Sequence, residues 1–112
     1  MKFTFKESNG ITIIRIEGNM LGGPEASELN SELHKLIDAK KKKVIVDLGG
    51  ISLMNSSGLG MLIGGVTTMR NAGGDLKIAA AVDKVIQVFK ITRIDKVIEL
   101  HQTVDMAIGS FS

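Results

Sequence analysis

Near the middle of the chain, Val44-Ile45-Val46-Asp47-Leu48 forms a β-branched-rich run with a single charge. Such a run reads as a strand buried in the middle of a sheet. Buried strands of this kind are joined to their neighbours by crossover helices, and helical spacing is found on both sides. Ahead of it, Ala26, Leu29, Leu33, Leu36 and Ile37 recur every three or four residues. Behind it, Leu59, Leu62, Ile63, Val66 and Met69 do the same, until Asn71-Ala72-Gly73-Gly74 stops the pattern.

The remaining segments extend this alternation. Lys2 to Glu7 and Ile11 to Glu17 are strand-like, and Asn9-Gly10 between them predicts a tight antiparallel hairpin. The first helix follows Gly22, Gly23 and Pro24. Glu25 and Glu28 fall near its start and Lys40 to Lys43 at its end, charges that suit the helix dipole. Leu76 to Ala80 predicts a further strand, Asp83 caps a helix carrying Val85, Ile86 and Phe89, and Val97 to Leu100 predicts a last short strand. Thr103 then caps a terminal helix with Val104, Ala107 and Ile108. The order is two strands followed by alternating helices and strands. It predicts a single α/β domain over residues 1–112, with a mixed sheet, an N-terminal antiparallel hairpin and about four helices.

Composition narrows the function classes. With 14 basic and 12 acidic residues the chain has no broad positive field, and without Trp or Tyr it has little to stack on bases, so direct nucleic-acid binding is not expected. Lys40 to Lys43 reads as a solvated helix end. Cysteine is absent, which removes disulfides and thiolate metal sites. No stretch approaches the roughly 18 apolar residues of a membrane span, and Met1 to Phe5 alternates polar and apolar in place of a signal core. A cytoplasmic protein without a membrane partner is expected.

The stretch Val44 to Gly65 runs from the buried strand through a short loop into a helix that begins near Asn55-Ser56-Ser57-Gly58. Asn55 or Ser56 can cap the first turn. Two serines are more than a cap needs, Gly58 and Gly60 leave the place open, and a helix N-terminus suits a phosphate dianion. The place therefore suits a phosphoserine.

Asp47-Leu48, then Ile51, then Met54-Asn55-Ser56-Ser57-Gly58-Leu59-Gly60 resembles the core motif of STAS-domain anti-sigma-factor antagonists. The run from Val88 to Leu100, followed by Thr103 to Ile108, resembles that family's closing helix-strand-helix. The resemblance implies a non-enzymatic binding module that needs no cofactor. In its unphosphorylated form the module binds an anti-sigma factor that is also a serine kinase, and so frees the sigma factor. The kinase phosphorylates Ser57, and a serine/threonine phosphatase acting on the phospho-form restores binding. The implied docking surface comprises Leu21, Gly22, Met54, Asn55, Ser56, Ser57 and Gly58. Asn55 stands where many members carry Asp, and Leu21 where an acidic residue is common. The alternative within the family is an unphosphorylated scaffold subunit of a signalling or lipid-transport assembly. No oligomeric state is assigned.

Other chemistries fit poorly. Gly58, Gly60 and Gly64 are spaced G-x-G-x-x-x-G with no strand ending just before them, unlike a dinucleotide fingerprint. Gly60, Gly64 and Gly65 are expected to let the helix lie close to the sheet. There is no G-x-S-x-G, and His34 and His101 alone make neither a hydrolytic triad with Ser57 nor a metal ligand set.

Overall fold

The structure is a computed structural model that describes residues 2–111. At Asn9 and Gly10 the backbone has φ of 52° and 78°, as a type I′ hairpin turn requires at both central residues. This turn joins β1 (Lys2–Ser8) to β2 (Ile11–Met20) in an antiparallel pair running from Lys2↔Glu17 to Ser8↔Ile11. There follow α1 (Pro24–Asp38), β3 (Lys43–Met54), α2 (Ser56–Asn71), β4 (Asp75–Ala79) and α3 (Asp83–Ile91). A 3-10 turn at Ile94–Lys96, β5 (Leu100–His101) and α4 (Val104–Ser110) complete the chain. The α/β class, the hairpin, the mixed sheet and the four helices agree with the sequence reading.

The five strands lie in the order β1-β2-β3-β4-β5, and every pair after the first is parallel. Because the chain crosses the sheet in one direction, right-handed crossovers put α1, α2 and α3 on one face. There Leu29, Leu33, Leu62, Val66, Val85 and Phe89 from the helices share a core with Ile14, Val44, Val46 and Ile78 from the strands. On the opposite face Ile11, Ile13, Ile45 and Ala79 pack with Ala107 of α4, bordered by Val104, Ile108 and Phe111. The central strand β3 thus buries Val44 and Val46 on one side and Ile45 on the other, which explains its nearly unbroken apolar run.

Several boundaries differ from expectation. Instead of ending at Glu17 and Leu48, β2 continues to Met20 and β3 to Met54. Arg15↔Asp47 is followed by Glu17↔Gly50, and Gly18↔Ile51 by Asn19↔Leu53, so each step leaves one extra residue on β3. These are bulges, and they break the two-residue alternation by which a strand is recognised. The last strand is Leu100–His101 instead of Val97 to Leu100, since the 3-10 turn occupies Ile94–Lys96 and Ile98 is drawn into the core. Val82, not Asp83, is the N-cap of α3, and no side chain caps that helix. Thr103 does cap α4, its hydroxyl accepting from the Met106 N-H at 3.1 Å. Since α1 ends at Asp38, Lys40 to Lys42 lie in the connection and Lys43 opens β3.

A buried lysine fastens α4. The Lys77 side chain on β4 is only 8% exposed, and its ammonium donates to Ser110 Oγ at 2.7 Å and to the Ser110 carbonyl at 3.1 Å. It also lies 3.4 Å from Glu99 Oε2 and 4.3 Å from the Phe111 ring centroid. A cation at the last carbonyls of a helix is favoured by the dipole as well as by the hydrogen bonds. Lys77→Met keeps the hydrocarbon stem and removes these bonds, with an expected loss of about 1–3 kcal/mol. Hydrogen exchange read by mass spectrometry should show faster exchange over Val104–Ser110 and no change in α2 or β3.

Candidate functional site

The sequence leaves β3 at Met54, turns at Asn55 and enters α2 at Ser56. Asn55 is extended, with φ −109° and ψ −177°, and its side-chain oxygen accepts from the Gly58 N-H at 2.8 Å. Its carbonyl accepts from the Leu59 N-H at 3.0 Å, and its own N-H donates to the Met20 carbonyl at 3.3 Å. Of the four N-H groups that a helix start leaves without helical partners, those of Asn55 and Gly58 are thereby satisfied. Those of Ser56 and Ser57 have no protein partner among the described residues, and both serines are exposed. Asn55 is therefore the cap and both serine hydroxyls are spare. The end of the 16-residue α2 presents two free donors and the positive end of its dipole beside Ser57.

The turn between β2 and α1 closes onto this helix start through two glycines. At Gly22, where φ is +86°, an added Cβ would lie 2.8 Å from Ser57 Cβ. On Gly58 an added Cβ would overlap the Met20 carbonyl oxygen. Each glycine lets the backbone of one element touch the other, and both are buried.

The candidate residues separate by burial. Leu21, Asn55, Ser56 and Ser57 are on the surface, whereas Gly22 and Gly58 form the contact beneath them. Met54, expected on the docking surface, is only 6% exposed and belongs to the core, as does Met20. Leu53 is turned outward instead, 51% exposed, and with Leu21 at 46% supplies apolar surface at this end of β2 and β3. Sequence reasoning missed Leu53 because the bulged segment reads as a loop, where no residue has a defined face.

Gly60 does leave space beside the site, but Gly58 is packed, not open. Of the three glycines expected to bring α2 close to the sheet, Gly60 and Gly64 face open space and only Gly65 is in contact, a Cβ there lying 3.2 Å from Leu33 Cδ1 and 3.3 Å from Leu76 Cδ1. His34 is exposed on α1, and His101 is on β5 with Nε2 2.7 Å from Glu99 Oε1. Neither belongs to the elements that build the Ser57 site.

Comparison with known proteins gives consistent matches. A family model described as the STAS domain matches residues 2–107. A Bordetella bronchiseptica protein named as an anti-sigma factor antagonist, BtrV, is 24% identical over 111 residues, which is 99% of this chain and 95% of that one. Among solved structures, a Thermotoga maritima protein described as an anti-sigma factor antagonist superposes with a TM-score of 0.83 at 17% identity, covering 96% of this chain and 92% of that one. The anti-sigma factor antagonist SpoIIAA in its unphosphorylated form gives 0.78 at 18% identity, over 98% of this chain and 96% of that one. The phosphorylated form of SpoIIAA, described as a Bacillus cell fate determinant, gives 0.72 at 17% identity, over 99% of this chain and 100% of that one. At these identities the structural likeness speaks for the fold.

The two glycines at the start of α2 should respond oppositely to alanine. Gly58→Ala forces a methyl group against backbone that cannot rotate away, and a loss of about 1–3 kcal/mol or more is expected. Gly60→Ala meets open space within a helix and should gain roughly 0.5–1 kcal/mol. Denaturant unfolding of the two variants beside the parent measures both.

Proposed function

The chain belongs to the STAS-domain family, and from that membership we propose that it is a cytoplasmic anti-sigma-factor antagonist that works by partner switching. Unphosphorylated, it binds an anti-sigma factor that is also a serine kinase, and the sigma factor is released. Transfer of a phosphoryl group from ATP to Ser57 Oγ, with loss of the hydroxyl proton, ends that binding. A serine/threonine phosphatase hydrolyses the phosphoester and restores the hydroxyl. The module recruits these enzymes and has no catalytic residues of its own.

The observation that carries this reading is the exposed Ser57 hydroxyl at the start of α2, unused by the cap and beside two free N-H groups. Phosphoserine brings a charge of about −1.5 to −2 at neutral pH, which those donors and the helix dipole partly offset. Asn55 adds no like charge next to it. The apolar surface of Leu21 and Leu53 beside the hydroxyl is the kind that partners cover. A phosphorylated and an unphosphorylated structure of SpoIIAA are among those this chain resembles, which supports reading this fold as one that can be phosphorylated.

The penalty of phosphorylation therefore falls at the interface more than within the domain. A charge that loses water against a surface shaped for a hydroxyl costs about 3–5 kcal/mol if it stays unpaired. At about 1.4 kcal/mol per tenfold, that is a loss of a hundredfold or more in affinity.

Incubation with the cognate kinase and ATP, followed by intact mass and peptide mapping, should place one phosphate on Ser57 and none on Ser57→Ala. An unmodified protein that still binds its partner would favour the scaffold alternative. In calorimetric titration against the anti-sigma factor, Ser57→Asp should bind a hundredfold or more weakly, whereas Ser57→Ala should bind like the parent. Both should melt within about 1 kcal/mol of the parent, since the Asn55 cap is untouched. Equal affinities, or a loss explained by unfolding, would exclude this mechanism.

A further inference from the structure

The sheet face opposite α1, α2 and α3 is only half covered. Helix α4 packs mainly on β3, β4 and β5, and beside it, over β1 and β2, lies a groove of about 460 Å³. Its volume is within the range of small-ligand sites, roughly 300–1,000 Å³. Thr4, Lys6 and Ser8 form one wall, brought to the same face of β1 by strand alternation. The facing wall is α4, with Val104, Asp105 and Ile108. Ile13 lies in the floor together with the Arg15–Asp47 pair, in which the guanidinium donates to Asp47 at 3.1 Å. None of these residues belongs to the Ser57 site.

The charges of the groove are arranged in opposition. Arg15 and Asp47 neutralise each other, and Arg15 also lies 3.8 Å from Glu17. That leaves Lys6 on one wall and Asp105 on the other, and among the described residues neither forms an ion pair. Lys6 lies between Thr4 and Ser8 on this wall, two residues or about 7 Å from each along the strand, so a carboxylate held by its ammonium can also reach a hydroxyl on one side. Asp105 offers acceptors that suit an ammonium. Between them Ile13, Val104 and Ile108 are apolar. Strands are about 4.8 Å apart, so the distance from β1 to β3, near which α4 rests, is roughly 10 Å at the backbone. An occupant that meets both charges therefore carries its own charges several ångströms apart.

We propose that this groove binds a linear zwitterion. Its carboxylate would sit at the Lys6 ammonium, its ammonium at Asp105, and its aliphatic body over Ile13, Val104 and Ile108. An ω-amino acid or a very short aliphatic peptide has this chemistry. The complementarity rests on charge placement, since Ile13 is already 7% exposed and offers little fresh apolar area.

The probes are 6-aminohexanoate, hexanoate and hexylamine, titrated into the full chain and followed by amide and methyl NMR shifts. 6-Aminohexanoate should shift residues 4–8, 13 and 104–108, and bind at least about fivefold more tightly than either single-charge analogue. Asp105→Asn should weaken 6-aminohexanoate by about fivefold or more and leave hexanoate unchanged, whereas Lys6→Gln should weaken both. Both substitutions are at exposed positions, and an NMR spectrum that matches the parent's away from the groove checks the fold of each variant. The proposal is overturned if 6-aminohexanoate binds no better than hexanoate, if neither substitution changes its affinity, or if the shifts fall on Asn55 to Gly60.

Discussion

Because β2, β3, β4 and β5 follow one another across the sheet in chain order, each right-handed crossover delivers its helix to the same face. Three helices then complete a core on that side, and the other side is left to the seven-residue α4. A helix so short contributes little apolar area of its own, and its attachment depends on Ala107 against the sheet and on the Lys77 ammonium at its last carbonyl. The same one-way progression collects the carboxyl ends of the parallel strands along one edge. The turns leaving β2, β3 and β4 gather there, which is where open α/β sheets present their binding residues.

At that edge the site is built chiefly from backbone. Two bulges lengthen β3 relative to β2 and bring Met54 opposite Met20 at the end of the ladder. Gly58 then accepts the Met20 carbonyl against it, and Gly22 accepts Ser57. The separation of duties between Asn55 and Ser57 follows from this geometry. Asn55 satisfies the helix start, so chemistry at the Ser57 hydroxyl need not disturb a bond on which the fold depends. A change at the Ser57 hydroxyl therefore leaves the cap intact, although the two residues are two positions apart.

Much of the fold is legible from short-range pattern. Asn9-Gly10 predicts its turn because both residues tolerate positive φ, and Thr103 predicts its helix start because its hydroxyl reaches an N-H three residues on. The Asn-Ser-Ser-Gly junction is visible for the same reason. The ends of β2 and β3 were not, since a bulge removes the alternation that marks a strand. Asp83 has a capping side chain, yet it is the first residue of the helix and Val82 is the N-cap, one residue earlier than the side-chain chemistry suggests.

The sequence by itself determined the kinds of element, their order, the N-terminal hairpin and the presence of more capping side chains than one helix start needs. Periodicity, capping and turn chemistry act over a few residues, and each is recorded in the local string. Only the tertiary structure decided that Met54 is core and Leu53 is surface, and that Gly22 rests on Ser57 while Gly60 and Gly64 face open space. Only the tertiary structure set Lys6 and Asp105 across one groove. These outcomes depend on the register of β2 against β3 and on which half of the sheet α4 covers, and contacts between residues distant in sequence settle both.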